Sequence, residues 1–253
     1  MDRAIVEANR EYWNKNADAW FGTTALPVYG EMCPTEDQLR LFGDVRGKRL
    51  LEICCDSGHS LLYHAQRGAG ELWGLDLSER QLENARRLLA ENGQSARLFC
   101  GAMEEDLGLP REYFDWVYSI YGIGWATDLE GVFRRIASYL KPGGTFLFSW
   151  GHTLNYCAGW TPEQSHGWQG ERIPLTRSYF DEEPFRMPVH GMEVVLRNRK
   201  ISTYVNALAG AGFCLERMVE ETDRAVLAAK PETFKEKKAH MLPISMIFKA
   251  RKL

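Results

Sequence analysis

The stretch LLEICCDSGHS, residues 50–60, is a short apolar run that contains an acid and turns through small residues into a helical pattern. A second apolar run, residues 72–77, also ends near an acid, Asp76. A strand, a tight turn, a helix and a second acid-tipped strand form a nucleotide-binding βαβ unit. In such a unit the helix N-terminus offers free N–H groups, and the second acid can accept hydrogen bonds from both hydroxyl groups of a ribose.

The composition of the chain excludes several classes of protein. Its 253 residues are 45% hydrophobic and 26% charged, which is typical of a globular α/β domain with additions. The net charge of -3 provides no field to attract nucleic acid or an anionic membrane, and we expect neither partner. No apolar run approaches membrane-spanning length, and no signal peptide opens the sequence. The six cysteines lack paired metal spacing, which favours reduced thiols in the cytoplasm and no metal site.

Strand and helix patterns alternate along most of the chain. Residues 3–19 have the pattern of an amphipathic helix. Residues 78–81 have the spacing of a capping box, which predicts the start of a second helix. Asp128 is predicted to cap a third helix, with Leu140 on its buried face. This alternation predicts right-handed crossovers and a parallel sheet covered on both faces. The predicted strands are residues 48–54, 72–77, 96–100, 114–120, 145–150, 212–220 and 244–250.

Residues 151–200 interrupt the alternation. They are rich in aromatic residues, glycine, proline and histidine, and a long insertion after the carboxyl end of a strand usually acts as a lid or a substrate wall. We therefore predict one domain in four parts. These are an N-terminal helical arm (1–47), a cofactor-binding core (48–150), a substrate lid (151–200) and the end of the sheet (201–253).

Four motifs occur in order between residues 48 and 150, at 51–58, 74–78, 114–119 and 140–144. Together they resemble the motifs of class I S-adenosylmethionine-dependent methyltransferases, of the small-molecule type related to the ubiquinone and menaquinone methyltransferases. The pattern and the resemblance predict an α/β fold. It is a Rossmann-like three-layer sandwich of about seven mostly parallel strands with an antiparallel last strand, an N-terminal helical arm and an inserted lid.

The resemblance implies S-adenosylmethionine as the cofactor and a set of contacts to it. Asp76 would bind the ribose hydroxyl groups, with Leu77 beside the adenine. Where the family usually has glycines, this chain has Cys54 and Asp56. Aspartate tolerates a positive φ better than most residues, and Asp56 would also lie near the methionine ammonium. The remaining implied contacts are Glu52, Gly58, Ala102, Met103, Glu104, Ser119 and Ile120.

The implied activity is methyl transfer to a small-molecule acceptor at N, O, S or C by in-line displacement. Many relatives carry a histidine in the loop after the fourth strand, whereas residues 121–125 read YGIGW. We take His152 as the predicted general base, with Tyr121 as a second catalytic candidate. We read His166 and His190 as structural. Aromatic residues predicted to shape a dry acceptor pocket, each with core packing as the plainer interpretation, are Tyr12, Trp20, Tyr29, Trp125, Trp150 and Tyr156.

Three other functions compete with this interpretation. A nicotinamide-dependent dehydrogenase requires G-x-G-x-x-G in the first turn, which this chain lacks. A non-catalytic cofactor-binding or regulatory protein on a degenerate methyltransferase scaffold is favoured by the altered first motif and the missing histidine. Metalloid methylation by Cys54 and Cys55 is disfavoured because the pair lies at a buried strand end. The sequence leaves the acceptor open, and the protein is predicted to be a monomer or homodimer.

Overall fold

The computed structural model describes residues 1–159 and 172–253. The predicted residue His166 and part of the predicted lid, residues 160–171, lie outside the described residues. The strands of the described part are β1 (Arg49–Ile53), β2 (Glu71–Asp76), β3 (Arg97–Cys100), β4 (Phe114–Ser119), β5 (Leu140–Gly151), β6 (Pro184–Val189), β7 (Met192–Arg197), β8 (Phe213–Val219) and β9 (Ser245–Lys252).

Helices connect these strands. The α-helices of the described part are α1 (Arg3–Asn16), α2 (Glu36–Leu39), α3 (His59–Ala65), α4 (Glu79–Glu91), α5 (Leu129–Tyr139), α6 (Thr153–Cys157), α7 (Ile201–Gly210), α8 (Arg224–Ala228) and α9 (Phe234–Ala239). Two 3₁₀ segments cover Ala17–Trp20 and Ile123–Trp125. Among the described residues, none of these helices is both long and apolar enough to cross a lipid bilayer.

The main sheet has seven strands in the order β3-β2-β1-β4-β5-β9-β8. Strands β1 to β5 pair in parallel, while β9 pairs antiparallel with both β5 and β8. The predicted Rossmann-like sheet with an antiparallel last strand is therefore confirmed. Because the order reverses between β1 and β4, the carboxyl ends of β1, β2 and β4 surround the crevice where open α/β sheets bind ligands.

Both faces of the sheet are covered by apolar side chains. In β1, Leu51 and Ile53 belong to the core on one face, whereas Leu50 and the neighbouring Cys55 belong to the core on the other. This alternation follows from the two-residue period of a strand. The central strand is buried on both faces, which explains why it appears in the sequence as an almost unbroken apolar run.

Two local predictions need correction. Leu140 was predicted on the buried face of a helix, but α5 ends at Tyr139 and Leu140 is the first residue of β5, paired with Phe114. The sequence KPGG at residues 141–144 also predicts a tight turn before the strand, but these residues lie within β5, as an irregularity between that pair and the next one, Trp116 with Thr145. The sheet tolerates it because Gly143 adopts a positive φ of 75°.

The N-terminal helix packs on a hairpin that lies within the predicted lid. Strands β6 and β7 form this two-stranded hairpin, and α1 lies against β7. The buried Asn9 amide acts like a strand backbone, since its Nδ2 donates to Val195 O (2.9 Å) and its Oδ1 accepts from Val195 N (3.0 Å). The arm and the hairpin are thus joined by a buried pair of hydrogen bonds.

His64 is a buried histidine without a polar partner. Its ring is fully buried among Phe42, Tyr63 and Tyr118, with ring centroids 4.4 to 5.4 Å away. Neither ring nitrogen has a hydrogen-bond partner among the described residues, and burial lowers the pKa of His64 to about 3. The folded state therefore keeps this imidazole neutral well below the pH at which the unfolded chain binds a proton.

We expect the H64F variant to be less sensitive to acid than the wild type. Between pH 6.5 and about 3, the unfolded chain binds a proton at His64 that the folded chain rejects, so acid favours unfolding by about 1.4 kcal/mol per pH unit. Denaturant titrations of both proteins at several pH values measure this contribution. Equal pH slopes in the two proteins would contradict the assigned neutral state.

Candidate functional site

A cleft lies at the carboxyl ends of β1, β2 and β4, between the sheet and the N-terminal arm. The space between its lining residues is about 760 Å³, which includes open solvent. The cleft is lined by Val6, Asn9, Trp13, Thr24, Cys54, Asp56, Leu75, Asp76, Leu77, Gln81, Gly101, Ala102, Met103, Glu104, Ile120, Tyr121, Gly122 and Trp125.

Asp76 stands at the end of β2 with its carboxylate fixed by two backbone donors. Oδ2 accepts from Asp56 N (2.9 Å), and Oδ1 accepts from Ser78 N (2.8 Å). Each oxygen keeps a further lone pair for a ligand. The side chain is buried, and burial raises the pKa of Asp76 to about 6. The carboxylate is thus pre-oriented to accept hydrogen bonds from two neighbouring hydroxyl groups.

The turn after β1 contains non-glycine residues in a left-handed conformation. Cys54 has φ 58° and Asp56 has φ 48°. Such a conformation costs on the order of 1–3 kcal/mol for a residue with a Cβ, and it explains why glycine is the easier choice at both positions. This geometry bears out the expectation that Asp56 adopts a positive φ.

The Asp56 side chain lines the cleft and retains hydrogen-bonding capacity. Its Oδ1 is buried and has no hydrogen-bond partner within the described residues. Burial, with Asp76 as a second cause, raises the pKa of Asp56 to about 8. At neutral pH the two neighbouring carboxyl groups therefore carry about one negative charge between them.

Gln81 departs from the predicted capping box. Ser78 caps α4 as expected, because its Oγ accepts from Gln81 N (3.2 Å). The reciprocal bond is missing, since Ser78 N donates to Asp76 instead. The Gln81 side chain is therefore not used for capping; it lines the cleft at 1% exposure and lies beside the Asp56 carboxyl group.

The lining is acidic. It includes the carboxyl groups of Asp56, Asp76 and Glu104, and the described lining contains no lysine or arginine. Glu104 is already engaged, because its Oε1 accepts from Thr127 N (2.7 Å) and from Thr127 Oγ1 (3.1 Å). The charge of the cleft suits a ligand with positive charge and several hydrogen-bond donors.

Aromatic rings form another part of the lining, the aromatic wall. Trp13, Tyr121 and Trp125 line the cleft, and the rings of Trp13 and Trp125 meet edge to face at 5.4 Å. Trp150 lies behind this wall, 5.4 Å from Trp125 and 5.2 Å from Tyr121. The buried guanidinium of Arg199 fixes the loop that carries Trp125 by donating to the carbonyl oxygens of Gly124 (3.3 Å) and Ala126.

The cleft brings together most of the predicted cofactor-binding residues. The lining includes Cys54, Asp56, Asp76, Leu77, Ala102, Met103 and Ile120. It leaves out Glu52, Gly58 and Ser119. Glu52 is buried beneath the turn, where its Oε2 accepts from Tyr118 Oη (3.2 Å). Gly58 has φ 78° and lies so close to Ala85 that a Cβ would clash with it. A direct contact between these three residues and a cofactor stays a prediction.

The predicted acceptor-binding aromatics divide in a similar way. Trp125 lines the cleft, whereas the other five lie outside its lining. Tyr29 packs in the core on the far face and donates to Glu36 Oε2 (2.6 Å), as suits its plainer interpretation. Of the remaining four, Tyr12, Trp150 and Tyr156 are buried and Trp20 is partly buried, and all four pack in the core near the wall.

Neither predicted catalytic residue is arranged as a free base. His152 is buried as the N-cap of α6; its Nδ1 accepts from Leu154 N (3.1 Å), and its Nε2 lies 2.7 Å from Glu220 Oε1. Both nitrogens are therefore occupied, and this arrangement disfavours the prediction that His152 acts as the base. Tyr121 lines the cleft, and burial raises the pKa of its hydroxyl group.

The sequence-based prediction omitted the contribution of the N-terminal arm to the cleft. Val6, Asn9, Trp13 and Thr24 all line it. A usable signal existed in Asn9, because a polar residue on the buried face of a predicted helix needs a partner. Gln81 was also missed as a site residue, since its spacing from Ser78 was explained by capping alone.

Comparison with known proteins agrees with this geometry. A family model described as a methyltransferase domain matches residues 50–144. An uncharacterised protein of Haemophilus influenzae is 28% identical over 88% of both chains. A ubiquinone biosynthesis O-methyltransferase of Neisseria meningitidis is 29% identical and covers 65% of this chain and 75% of its own.

A solved structure is similar over most of its length. The S-adenosylmethionine-dependent methyltransferase of Mesorhizobium loti is 28% identical and superposes with a TM-score of 0.71. The match covers 85% of this chain and 96% of that one. The similarity therefore extends well beyond residues 50–144 and includes elements on both sides of the nucleotide-binding unit.

Proposed function

From the premise that the chain is a class I S-adenosylmethionine-dependent methyltransferase, we propose that it transfers the methyl group to a small molecule with an apolar or aromatic body. One observation carries this proposal: a single cleft combines an acidic floor, formed by Asp56 and Asp76, with the aromatic wall. The floor would bind the adenosyl part of the cofactor, and the wall would receive the acceptor.

The residues of the floor fit the cofactor. Asp76 would accept hydrogen bonds from the ribose hydroxyl groups, and Leu77, Ala102 and Met103 would pack against the adenine. The buried, unpartnered Oδ1 of Asp56 indicates that the cleft is built to receive a hydrogen-bond donor. The acidic lining also suits a cationic ligand, and S-adenosylmethionine supplies an electrophilic methyl group on a positively charged sulfur.

The wall would position the acceptor and exclude water. Trp13, Tyr121 and Trp125 present ring faces and edges that favour an apolar body, and such rings attract a nearby cation by about 0.5–2 kcal/mol each. Holding a nucleophile in line with the methyl group contributes up to about 7–11 kcal/mol to lowering the barrier. The identity of that nucleophile, N, O, S or C, is left open by this wall.

Two measurements test the proposal. Calorimetric titration with S-adenosylmethionine, S-adenosylhomocysteine and NAD should show micromolar binding of both adenosyl compounds and none of NAD. Methyl-labelled S-adenosylmethionine should then label an acceptor in a panel of phenols, quinols, amines and thiols of increasing apolar size. Failure to bind either adenosyl compound, or labelling of only small polar acceptors, would contradict the proposal.

A further inference from the structure

A chain of polar side chains leads from the cleft to the protein surface. Tyr121 lines the cleft, and its hydroxyl group lies within hydrogen-bonding reach of the Ser245 hydroxyl group. Ser245 is buried, and its Oγ donates to Glu31 O (2.9 Å). The Glu31 carboxylate extends to the surface, where its Oε1 lies 2.5 Å from Nζ of the half-exposed Lys235. These side chains form a polar route that starts at the aromatic wall.

Gly30 allows Tyr121 and Ser245 to lie side by side. A Cβ at Gly30 would lie 2.8 Å from Tyr121 Cε2 and 2.6 Å from Ser245 Oγ, so both side chains pack against the same backbone position. Only a residue without a side chain leaves room for both. Because Ser245 Oγ donates its own proton to Glu31 O, its lone pairs are left to accept from the Tyr121 hydroxyl group. Donation therefore runs in one direction, from the cleft towards Glu31.

Tyr121 occupies its position at an energetic cost. Its φ of 56° lies in the left-handed region, which an aromatic residue rarely adopts and which costs on the order of 1–3 kcal/mol. Tyr121 N donates to Ser149 Oγ (3.0 Å), and its ring packs against Trp150 with the centroids 5.2 Å apart. Glycine would adopt the same backbone conformation without strain. Because strain of this kind is found mostly at functional sites, it points to a role for the tyrosine side chain.

Methyl transfer to a hydroxyl group requires a group that receives the hydroxyl proton. His152 has both ring nitrogens occupied, and Oε1 of Glu104 already accepts two hydrogen bonds. Burial raises the pKa of Cys54, so that thiol in the cleft lining keeps its proton. Asp56 and Asp76 form the floor that the proposed function gives to the cofactor. Another carboxylate, connected to the aromatic wall, is therefore needed.

Glu31 has the properties of this proton acceptor. Its Oε2 is buried and has no hydrogen-bond partner among the described residues, whereas Oε1 faces Lys235. The charge of the Glu31 carboxylate reaches Tyr121, because after burial it is the next cause of the raised pKa of the tyrosine hydroxyl group. That raised pKa keeps Tyr121 protonated in the resting protein, as a group that passes a proton on requires.

We propose that Tyr121, Ser245 and Glu31 form a relay that carries the proton of a hydroxyl-bearing acceptor from the cleft to solvent. The relay rests on the proposed function, because it takes the aromatic wall as the acceptor side of the cleft. It adds to that function a catalytic residue, Tyr121, and two residues that act through it.

The transfer is balanced in atoms and charge. The acceptor oxygen forms the new bond to the methyl carbon, while the carbon–sulfur bond breaks and leaves its electron pair on sulfur. The acceptor O–H proton passes to Tyr121 Oη as the tyrosine proton passes to Ser245 Oγ. The Ser245 O–H bond turns from Glu31 O to the Glu31 carboxylate and transfers its proton there. Glu31 then releases the proton to water, and rotation of the two hydroxyl groups restores the resting arrangement.

The test compares two phenols that differ in ionisation. At about pH 8.5, 4-nitrophenol is mostly ionised, whereas 4-ethylphenol keeps its proton, as a tyrosine side chain does. Y121F should methylate 4-ethylphenol about a hundredfold more slowly than the wild type, because general acid–base catalysis is lost. The same variant should lose less than about fivefold on 4-nitrophenol, which has no proton to transfer. Equal losses on the two phenols would overturn the relay.

Binding of 4-nitrophenol together with S-adenosylhomocysteine gives a measurement that does not depend on turnover. Its absorbance reports the ionisation of the bound phenol. The Tyr121 hydroxyl group would donate to the phenolate once the proton has left, and such a charge-assisted hydrogen bond favours ionisation. We expect the ionisation midpoint of the bound phenol to rise by about one pH unit in Y121F. The same midpoint in both proteins would contradict the role of Tyr121.

E31Q and K235Q separate the Glu31 carboxylate from its ion pair. Both variants break the pair between Glu31 and Lys235, but only E31Q removes the proton acceptor. E31Q should be about tenfold slower on 4-ethylphenol, whereas K235Q should keep the wild-type rate. Equal effects of the two variants would overturn the assignment of Glu31. Y113F removes a tyrosine hydroxyl group that donates to Glu71 (2.8 Å) at the start of β2, and as the matched control for Y121F it should leave both rates unchanged.

Measurements on the wild type distinguish the relay from the proposed function. If the wild type binds none of the adenosyl compounds, the proposed function fails, and the relay fails with it. If it binds them but methylates neither phenol, the relay to a hydroxyl acceptor is overturned while cofactor binding stands. If it methylates both phenols and Y121F slows both equally, only the relay fails.

Discussion

The D76A variant is expected to bind S-adenosylhomocysteine at least about a hundredfold more weakly than the wild type. The change removes the acceptors for two hydroxyl donors, and a hydrogen bond to a charged group contributes about 1.5–3 kcal/mol. It also removes the partner of Asp56 N and Ser78 N, so the turn that shapes the cleft loses its support. Calorimetric titration measures the loss of affinity.

Two variants control for effects on folding. D76N keeps the volume and one acceptor oxygen and should show an intermediate loss. D128A removes another acid that accepts from a backbone N–H, that of Gly131 (2.9 Å), at the start of α5. It should cost about 1 kcal/mol of stability and leave ligand affinity unchanged. Wild-type affinity in D76A would show that the ribose lies elsewhere.

The G124A variant is expected to disrupt the aromatic wall. A Cβ at Gly124 would overlap the indole ring of the buried Trp150, so either that ring or the loop carrying Trp125 must move. Overpacking of this kind costs about 1–3 kcal/mol, and a displacement of about 1 Å at a reacting group can reduce the rate about a hundredfold. We expect a loss of that size in acceptor turnover, with S-adenosylhomocysteine affinity changed by less than about fivefold.

Thermal unfolding and turnover measurements check this prediction. The matched control is G210A at the exposed end of α7, where a Cβ would meet no atom within 4 Å. That variant should be as stable as the wild type or slightly more so, because alanine reduces the conformational entropy of the unfolded chain. Normal turnover and an unchanged unfolding midpoint in G124A would contradict this prediction, because they would mean that the aromatic wall accommodates the added Cβ without affecting the reaction.

The nucleotide-binding unit could be predicted because its signals are local. An apolar run, an acid and a turn of small residues lie next to one another along the chain, and β1, α3 and β2 form where that pattern places them. The parallel sheet follows from the alternation of such units, since crossovers are right-handed. Asp76 lines the cleft because it stands at the carboxyl end of β2, one of the parallel strands.

The remainder of the site depends on contacts between distant segments. Spacing alone did not indicate that Glu52 accepts a hydrogen bond from Tyr118 or that His152 lies against Glu220, because each partner is far away in the sequence. Gln81 shows competition between local and distant partners. In a capping box the Gln81 side chain would accept a hydrogen bond from Ser78 N. In the structure Ser78 N donates to Asp76 instead.

The pairing of Asn9 with Val195 also has a consequence for the time course of synthesis. The two residues are 186 positions apart. At ordinary translation rates, roughly 10 to 40 seconds separate their emergence from the ribosome. Throughout that interval the apolar face of α1, including Tyr12 and Trp13, lacks its hairpin partner and is open to chaperones or to other nascent chains. A faster-translating expression host would shorten this exposure, and we expect the aggregated fraction to depend on elongation rate.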